Sequence, residues 1–221
     1  MFYRLVHTVV RVWARLYLGL RGYGTENMPR AGPAILACNH VSYLDPPLVA
    51  VSLHRRIRFA AKAGLFKIPL FSSLISALGS VPIARGRPDR AGFRRMERIV
   101  RSGQALLVFP EGTRSPDGRL LPAEPGIGLL VLRTRAVVVP AAIVDSDKAL
   151  PRNSCLIRPA RVTVKLGQPV SFSEYHGRPI DRQSAGEVAD RIMQAISALL
   201  PPGRRRSAIP SATQPRGCGY K

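Results

Sequence analysis

Hydrophobic and polar positions follow two periods along this chain. Residues 2–20 repeat at the helical period. At ~100° per residue, Arg4, His7, Arg11 and Arg15 fall within an arc of roughly 80°, and the rest of the circumference is Phe2, Leu5, Val6, Val9, Val10, Val12, Trp13, Leu16, Tyr17 and Leu18. The charges recur too often for a comfortable spanning helix. A narrow basic stripe beside a wide apolar face with Trp and Tyr suits a helix lying in a membrane interface. The plain alternative is a helix packed on the protein's own core.

Farther along, short apolar runs predict buried strands at 33–38, 57–61, 80–83, 104–109, 136–143 and 161–166. Between them, helical patterns cover 65–78, 90–101 and 127–133. A last helix near 184–200 places Val188, Ile192, Ala195, Ile196 and Leu199 on one side, and Pro201, Pro202 and Gly203 stop it. Strands interleaved with helices predict an α/β fold, a single layered domain with a mixed sheet flanked by helices. The expected organisation is an amphipathic membrane-interface helix in 1–22, the domain in 23–200 and a disordered basic tail in 201–221.

A chain of 221 residues is long enough for one domain with a sizeable core. Its net charge of +21 points to a polyanionic partner: nucleic acid, an anionic membrane or a phosphorylated substrate. Arginine outnumbers lysine 29 to 5, so compositional bias accounts for part of the total. It does not account for the placement. No acidic residue precedes Glu26, and none lies between Asp45 and Asp89, an interval holding Arg55, Arg56, Arg58, Lys62, Lys67, Arg85 and Arg87. No helix-turn-helix, zinc-finger or RNP-like segment is visible, so nucleic acid is not the expected partner. Cys38, Cys155 and Cys218 are odd in number and widely spaced, which fits neither a disulfide framework nor a zinc site and makes a reducing cytosol the default. Four scattered histidines offer no metal cluster. The N-terminus lacks the uncharged apolar core of a signal peptide.

Four segments carry the candidate chemistry. Asn39-His40-Val41-Ser42-Tyr43-Leu44-Asp45 follows a buried strand, which puts His40 at a strand's C-terminal end, where open α/β sheets bind ligands. A His with a carboxylate partner removes a proton from a hydroxyl, the carboxylate fixing the tautomer and steadying the cation. Residues five apart diverge on a continuous helix, so the segment must turn for His40 and Asp45 to meet. Asp45 also reads as the N-cap of a helix whose first residue is Pro46.

Phe109-Pro110-Glu111-Gly112-Thr113-Arg114-Ser115 leaves a second strand. Gly112 permits a tight turn, and Arg114 offers a planar fork suited to phosphate. The bland reading is an exposed turn in which Glu111 pairs with Arg114. Gly79-Ser80-Val81-Pro82-Ile83-Ala84-Arg85 places another cation after a short strand, and Val139-Pro140-Ala141-Ala142-Ile143 reads as pocket wall.

In order and spacing, these four segments resemble the blocks of the glycerolipid acyltransferase family, and are most like its bacterial 1-acylglycerol-3-phosphate O-acyltransferase type, over roughly residues 20–170. The resemblance implies a general base at His40 with Asp45 as its partner. It implies acceptor binding by Arg85 and by the block Glu111, Gly112, Thr113 and Arg114, with Lys62 as a further basic residue between blocks. Two departures leave the acceptor head group open: Gly64 stands where relatives often have Glu, and Pro122-Ala123-Glu124-Pro125-Gly126 replaces a Lys-rich segment.

The implied reaction is transfer of a fatty-acyl group from acyl-CoA or acyl carrier protein to the sn-2 hydroxyl of 1-acylglycerol 3-phosphate, in phospholipid biosynthesis. No cofactor beyond that thioester and no metal is expected. The expected partners are the lysophospholipid acceptor, the donor and an anionic membrane surface. The expected location is the cytoplasmic face of the cell membrane, held peripherally. Helix 65–78 is expected either to line an acyl-chain groove or to be ordinary core. The competing readings are another acceptor (glycerol 3-phosphate, another lysophospholipid or a lyso-aminolipid) or a basic binding module without catalysis.

Overall fold

The computed structural model describes residues 2–62, 64, 72, 73, 76, 79–83 and 89–205. The elements in chain order are α1 (Phe2–Tyr17), β1 (Arg21–Tyr23), β2 (Ala34–Cys38), α2 (Asp45–Ser52), β3 (Ile57–Lys62), β4 (Ser80–Ile83), α3 (Arg90–Arg101), β5 (Ala105–Val108), α4 (Gly126–Thr134), β6 (Val137–Val144), the single turn α5 (Ser146–Ala149), β7 (Thr163–Leu166) and α6 (Arg182–Leu199). All six expected strands form. Strand β1 was not legible, because its three residues Arg-Gly-Tyr are all exposed and carry no apolar pattern. The expected helix 65–78 lies largely outside the described residues, as do Arg85 and the chain beyond Arg205.

The seven strands form one sheet in the order β1-β7-β6-β2-β5-β3-β4. Five of them, β6 to β4 in that order, run parallel; β7 is antiparallel to β6, and β1 is parallel to β7. The mixed sheet is thus as expected. Strand β2 is central and wholly buried. Ala34, Leu36 and Cys38 join one core with α1 and α2, while Ile35 and Ala37 join another with α4 and α6. A strand covered on both faces reads as a continuous apolar run, which is why Ala-Ile-Leu-Ala-Cys shows no alternation. Helix α4 meets α6 closely: a Cβ on Gly128 would lie 1.8 Å from the Ala185 carbonyl oxygen.

Helix α1 packs one face on the protein's own core and leaves the other exposed. Ala14 and Leu18 are fully buried, with Val6 and Val10 packed against the same core. Its opposite face leaves Leu5, Val9, Val12, Trp13 and Leu16 exposed, Leu16 at 83 %. The basic stripe divides too: His7 and Arg11 are partly buried, and Arg4 and Arg15 are exposed. Among the described residues no helix is long and apolar enough to cross a membrane.

Residues 201–205, expected to open the tail, stay against the domain. Arg204 donates to Asp147 (2.7 Å) and Asp145 (3.2 Å), and its carbonyl accepts the amide of Leu120.

Candidate active site

The parallel strands β2, β5 and β6 end side by side, and the loops leaving them bring the candidate residues together. Asn39 ends β2 in an unusual way. Its side-chain amide donates to the Ile143 carbonyl (3.0 Å), and its side-chain oxygen accepts the Ile143 amide (2.8 Å). The side chain thus prolongs the β2–β6 ladder by one rung, which satisfies buried backbone groups and frees the main chain to turn at His40.

That turn solves the spacing problem. His40 Nδ1 lies 2.8 Å from Asp45 Oδ2, which also accepts the amides of Val41 (2.7 Å) and Ser42 (2.8 Å). Asp45 therefore does not cap α2, as the sequence suggested; Leu44 holds the cap position, and the Asp45 side chain reaches back over its own turn. Asp45 is fully buried and His40 is 4 % exposed. In the neutral imidazole, a carboxylate accepting at Nδ1 selects the tautomer with its proton there and a lone pair on Nε2. No protein group among the described residues bonds Nε2. Phe109 stacks on the imidazole at 4.0 Å between centroids and fixes its plane.

The Phe109–Ser115 block holds the His40 backbone from both sides. Glu111 Oε1 accepts the His40 amide (2.7 Å), and the Ser115 amide donates to the His40 carbonyl (2.7 Å). Glu111 Oε2 accepts the Leu121 amide (2.9 Å). Glu111 is 3 % exposed, so it turns inward and does not pair with Arg114. Burial pushes its carboxyl up to about 7; the amides of Leu121 and His40 pull it down, and the nearby Asp45 charge adds to the rise.

Gly112 has a φ of 66°, as the tight turn required, and its amide donates to the Phe109 carbonyl (3.0 Å). Thr113 is exposed. The Arg114 guanidinium lies over the Tyr43 ring, 3.6 Å from its centroid, with no carboxylate partner among the described residues. Arg152 Nη1 donates to the Arg114 backbone carbonyl at 3.5 Å.

The Lys62 backbone ends β3, at the same sheet edge. Arg85 lies outside the described residues. Cys38 is a buried core residue whose thiol burial pushes well up, so no thiolate nucleophile is offered there. Sequence reasoning missed Ser146, whose hydroxyl donates to Asp45 Oδ1 at 2.5 Å. It stands about a hundred residues from its partner in the chain, and no local spacing points to it.

Known proteins resemble this chain in sequence and fold. The family model described as Acyltransferase matches residues 19–144. A chloroplastic 1-acyl-sn-glycerol-3-phosphate acyltransferase of Arabidopsis thaliana is 30 % identical over 176 residues, 76 % of this chain and 49 % of that protein. A 1-acyl-sn-glycerol-3-phosphate acyltransferase of Bacillus subtilis is 22 % identical over 198 residues, 89 % of this chain and 96 % of that protein. The chain spans about half the length of the plant relatives it matches. Among solved structures, the 1-acyl-sn-glycerophosphate acyltransferase PlsC of Thermotoga maritima superposes with a TM-score of 0.66 at 26 % identity, covering 86 % of this chain and 77 % of that one. With the family model matched over more than half of its length, the chain belongs to the acyltransferase family.

Proposed function

We propose that this protein transfers a fatty-acyl group from a thioester donor, acyl-CoA or acyl carrier protein, to the sn-2 hydroxyl of 1-acylglycerol 3-phosphate, giving phosphatidate. The observation that carries the reading is His40, its Nδ1 anchored by Asp45 and its Nε2 without a protein partner among the described residues, in a loop whose Tyr43 ring lies against the Arg114 guanidinium. In the proposed step, Nε2 takes the proton of the acceptor hydroxyl while the oxygen attacks the thioester carbonyl carbon. The C–S bond breaks and the proton passes to the departing sulfur, so ester and free thiol leave and His40 returns neutral. Arg114, with Lys62 and Arg85, would hold the acceptor phosphate and so fix its hydroxyl near Nε2. The names of the relatives favour this acceptor.

A lysophospholipid resides in a bilayer, and the exposed ridge Leu5, Val9, Val12, Trp13 and Leu16 beside Arg4 and Arg15 suits an anionic interface. The proposed location is therefore peripheral, on the cytoplasmic face of the cell membrane.

The deciding experiment is an acyl-transfer assay with lysophosphatidate against a panel of acyl-CoA and acyl carrier protein donors, run beside glycerol 3-phosphate, other lysophospholipids and a lyso-aminolipid. Phosphatidate formation that disappears in His40→Ala, with the fold retained, is the expected result. Preference for another acceptor redirects the substrate, and a folded His40→Ala protein with near wild-type turnover removes the base assignment.

A further inference from the structure

Asp45 has two oxygens, and its own turn satisfies only one of them. Oδ2 takes His40 Nδ1 and the amides of Val41 and Ser42. Oδ1 faces Ser146, whose Oγ–H donates to it at 2.5 Å. Both residues are 0 % exposed. A buried carboxylate oxygen without a donor is costly, and a carboxylate held by one oxygen alone can swing about its Cβ–Cγ bond. Ser146 closes that freedom from the turn that follows β6.

The position of Ser146 is itself fastened. It follows Asp145, a residue with φ 66° at the end of β6, and precedes Asp147. Arg204 bridges both carboxylates, reaching Asp145 at 3.2 Å and Asp147 at 2.7 Å. The Ser146 carbonyl accepts the Leu150 amide at 2.9 Å. A guanidinium fork across the two neighbours restricts the turn in which the hydroxyl sits, so the donor is preorganised toward Asp45.

We propose that Ser146 is a positioning residue for the His40–Asp45 pair, holding the Asp45 carboxylate in the one orientation that keeps the Nδ1 proton and directs Nε2 outward. The proposal rests on the reading of His40 as the base. Its other charged and titratable neighbours are Glu111 and Cys38, both within electrostatic reach of Asp45. Ser146 touches no reacting atom. Its removal therefore lowers turnover through the imidazole and leaves acceptor binding alone.

The test is a double-mutant cycle on the full chain, measuring kcat and KM for lysophosphatidate with unfolding transitions recorded beside them. Ser146→Ala is expected to lower kcat about tenfold, the worth of one hydrogen bond to a charged group, with acceptor KM unchanged. In the Asp45→Asn background the same change is expected to have little further effect, because the partner it orients is already lost. Ser146→Thr, which keeps the hydroxyl, is expected to retain more of kcat than Ser146→Ala. Multiplicative losses in the cycle, an unchanged kcat in folded Ser146→Ala, or equal losses in the Ala and Thr variants overturn the role of Ser146. An Asp45→Asn protein with wild-type kcat overturns the role of Ser146 with that of Asp45, whereas near wild-type turnover in folded His40→Ala removes the base assignment itself, so the two failures are distinguishable.

Discussion

Replacing Glu111 by glutamine is expected to change how stability depends on pH more than it changes stability itself. In the folded protein the Glu111 carboxyl is raised from 4.5 to about 7, chiefly by burial, so the native state binds its proton more tightly than the unfolded chain does. Its contribution therefore favours folding most below about 4.5, declines as pH rises to about 7, and is level above. At pH 8 the ionised, buried group costs the fold roughly 3 kcal/mol relative to pH 4.5.

Glutamine removes that titration. It also replaces one accepting oxygen by an NH2 group that faces the amide of His40 or Leu121, at a cost of about 1–3 kcal/mol. Glu111→Gln should then be less stable than wild type at pH 5 and comparable to it at pH 8. Urea unfolding of both proteins at pH 5, 6, 7 and 8 measures this. The exposed carboxylates Asp117, Glu174 and Asp181, all held below their ordinary values, are common to both proteins and drop out of the difference. A difference in unfolding free energy that stays constant over pH 5–8 would show that Glu111 does not titrate there, and the reasoning fails. Turnover of the variant should also fall about tenfold, because the His40 amide loses a charged acceptor.

Three further outcomes are expected. Arg114→Ala should raise the acceptor KM, and Arg114→Lys should restore little, since a point charge neither forks onto phosphate nor stacks flat on Tyr43; a raised donor KM with acceptor KM unchanged would move Arg114 to the donor site. The triple change Leu5→Gln, Val12→Gln and Leu16→Gln confines itself to the exposed ridge and should lower partition onto anionic vesicles at high salt by tenfold or more on the order of magnitude set by buried apolar area, with the fold unaffected; unchanged binding would locate the anchor elsewhere. Gly128→Ala should destabilise by about 3 kcal/mol in urea unfolding, as its Cβ meets the Ala185 carbonyl, and a wild-type transition would mean that α4 and α6 separate freely.

The N-terminal helix shows where one-dimensional pattern stops. Its wide apolar circumference was legible, but a periodicity cannot tell which part of that circumference meets protein and which part is left over. The assembled domain divides it, taking Val6, Val10, Ala14 and Leu18 for the core and leaving Leu5, Val9, Val12, Trp13 and Leu16 outside. Glu111 makes the same point at the site. Its block was recognisable as a strand followed by a turn, yet the turn alone suggested a carboxylate facing solvent or Arg114. The Leu121 amide and the neighbouring β2 loop, presenting the bare His40 amide, draw it inward.

What the amino-acid sequence determined by itself was local. Continuous apolar runs specify buried strands, and proline and glycine stop them where chemistry can leave the sheet. The joint occurrence of the His40–Asp45 and Phe109–Ser115 segments specifies the family. What the tertiary structure decided was adjacency. The order β6-β2-β5 sets three strand ends side by side, and with them the bonded pairs His40–Glu111 and Asp45–Ser146, whose members stand 71 and 101 positions apart in the chain. The reason is physical: propensity and periodicity act over a few residues. The partner of a buried oxygen such as Asp45 Oδ1 is chosen by whichever distant backbone turn the packed sheet brings within hydrogen-bond reach.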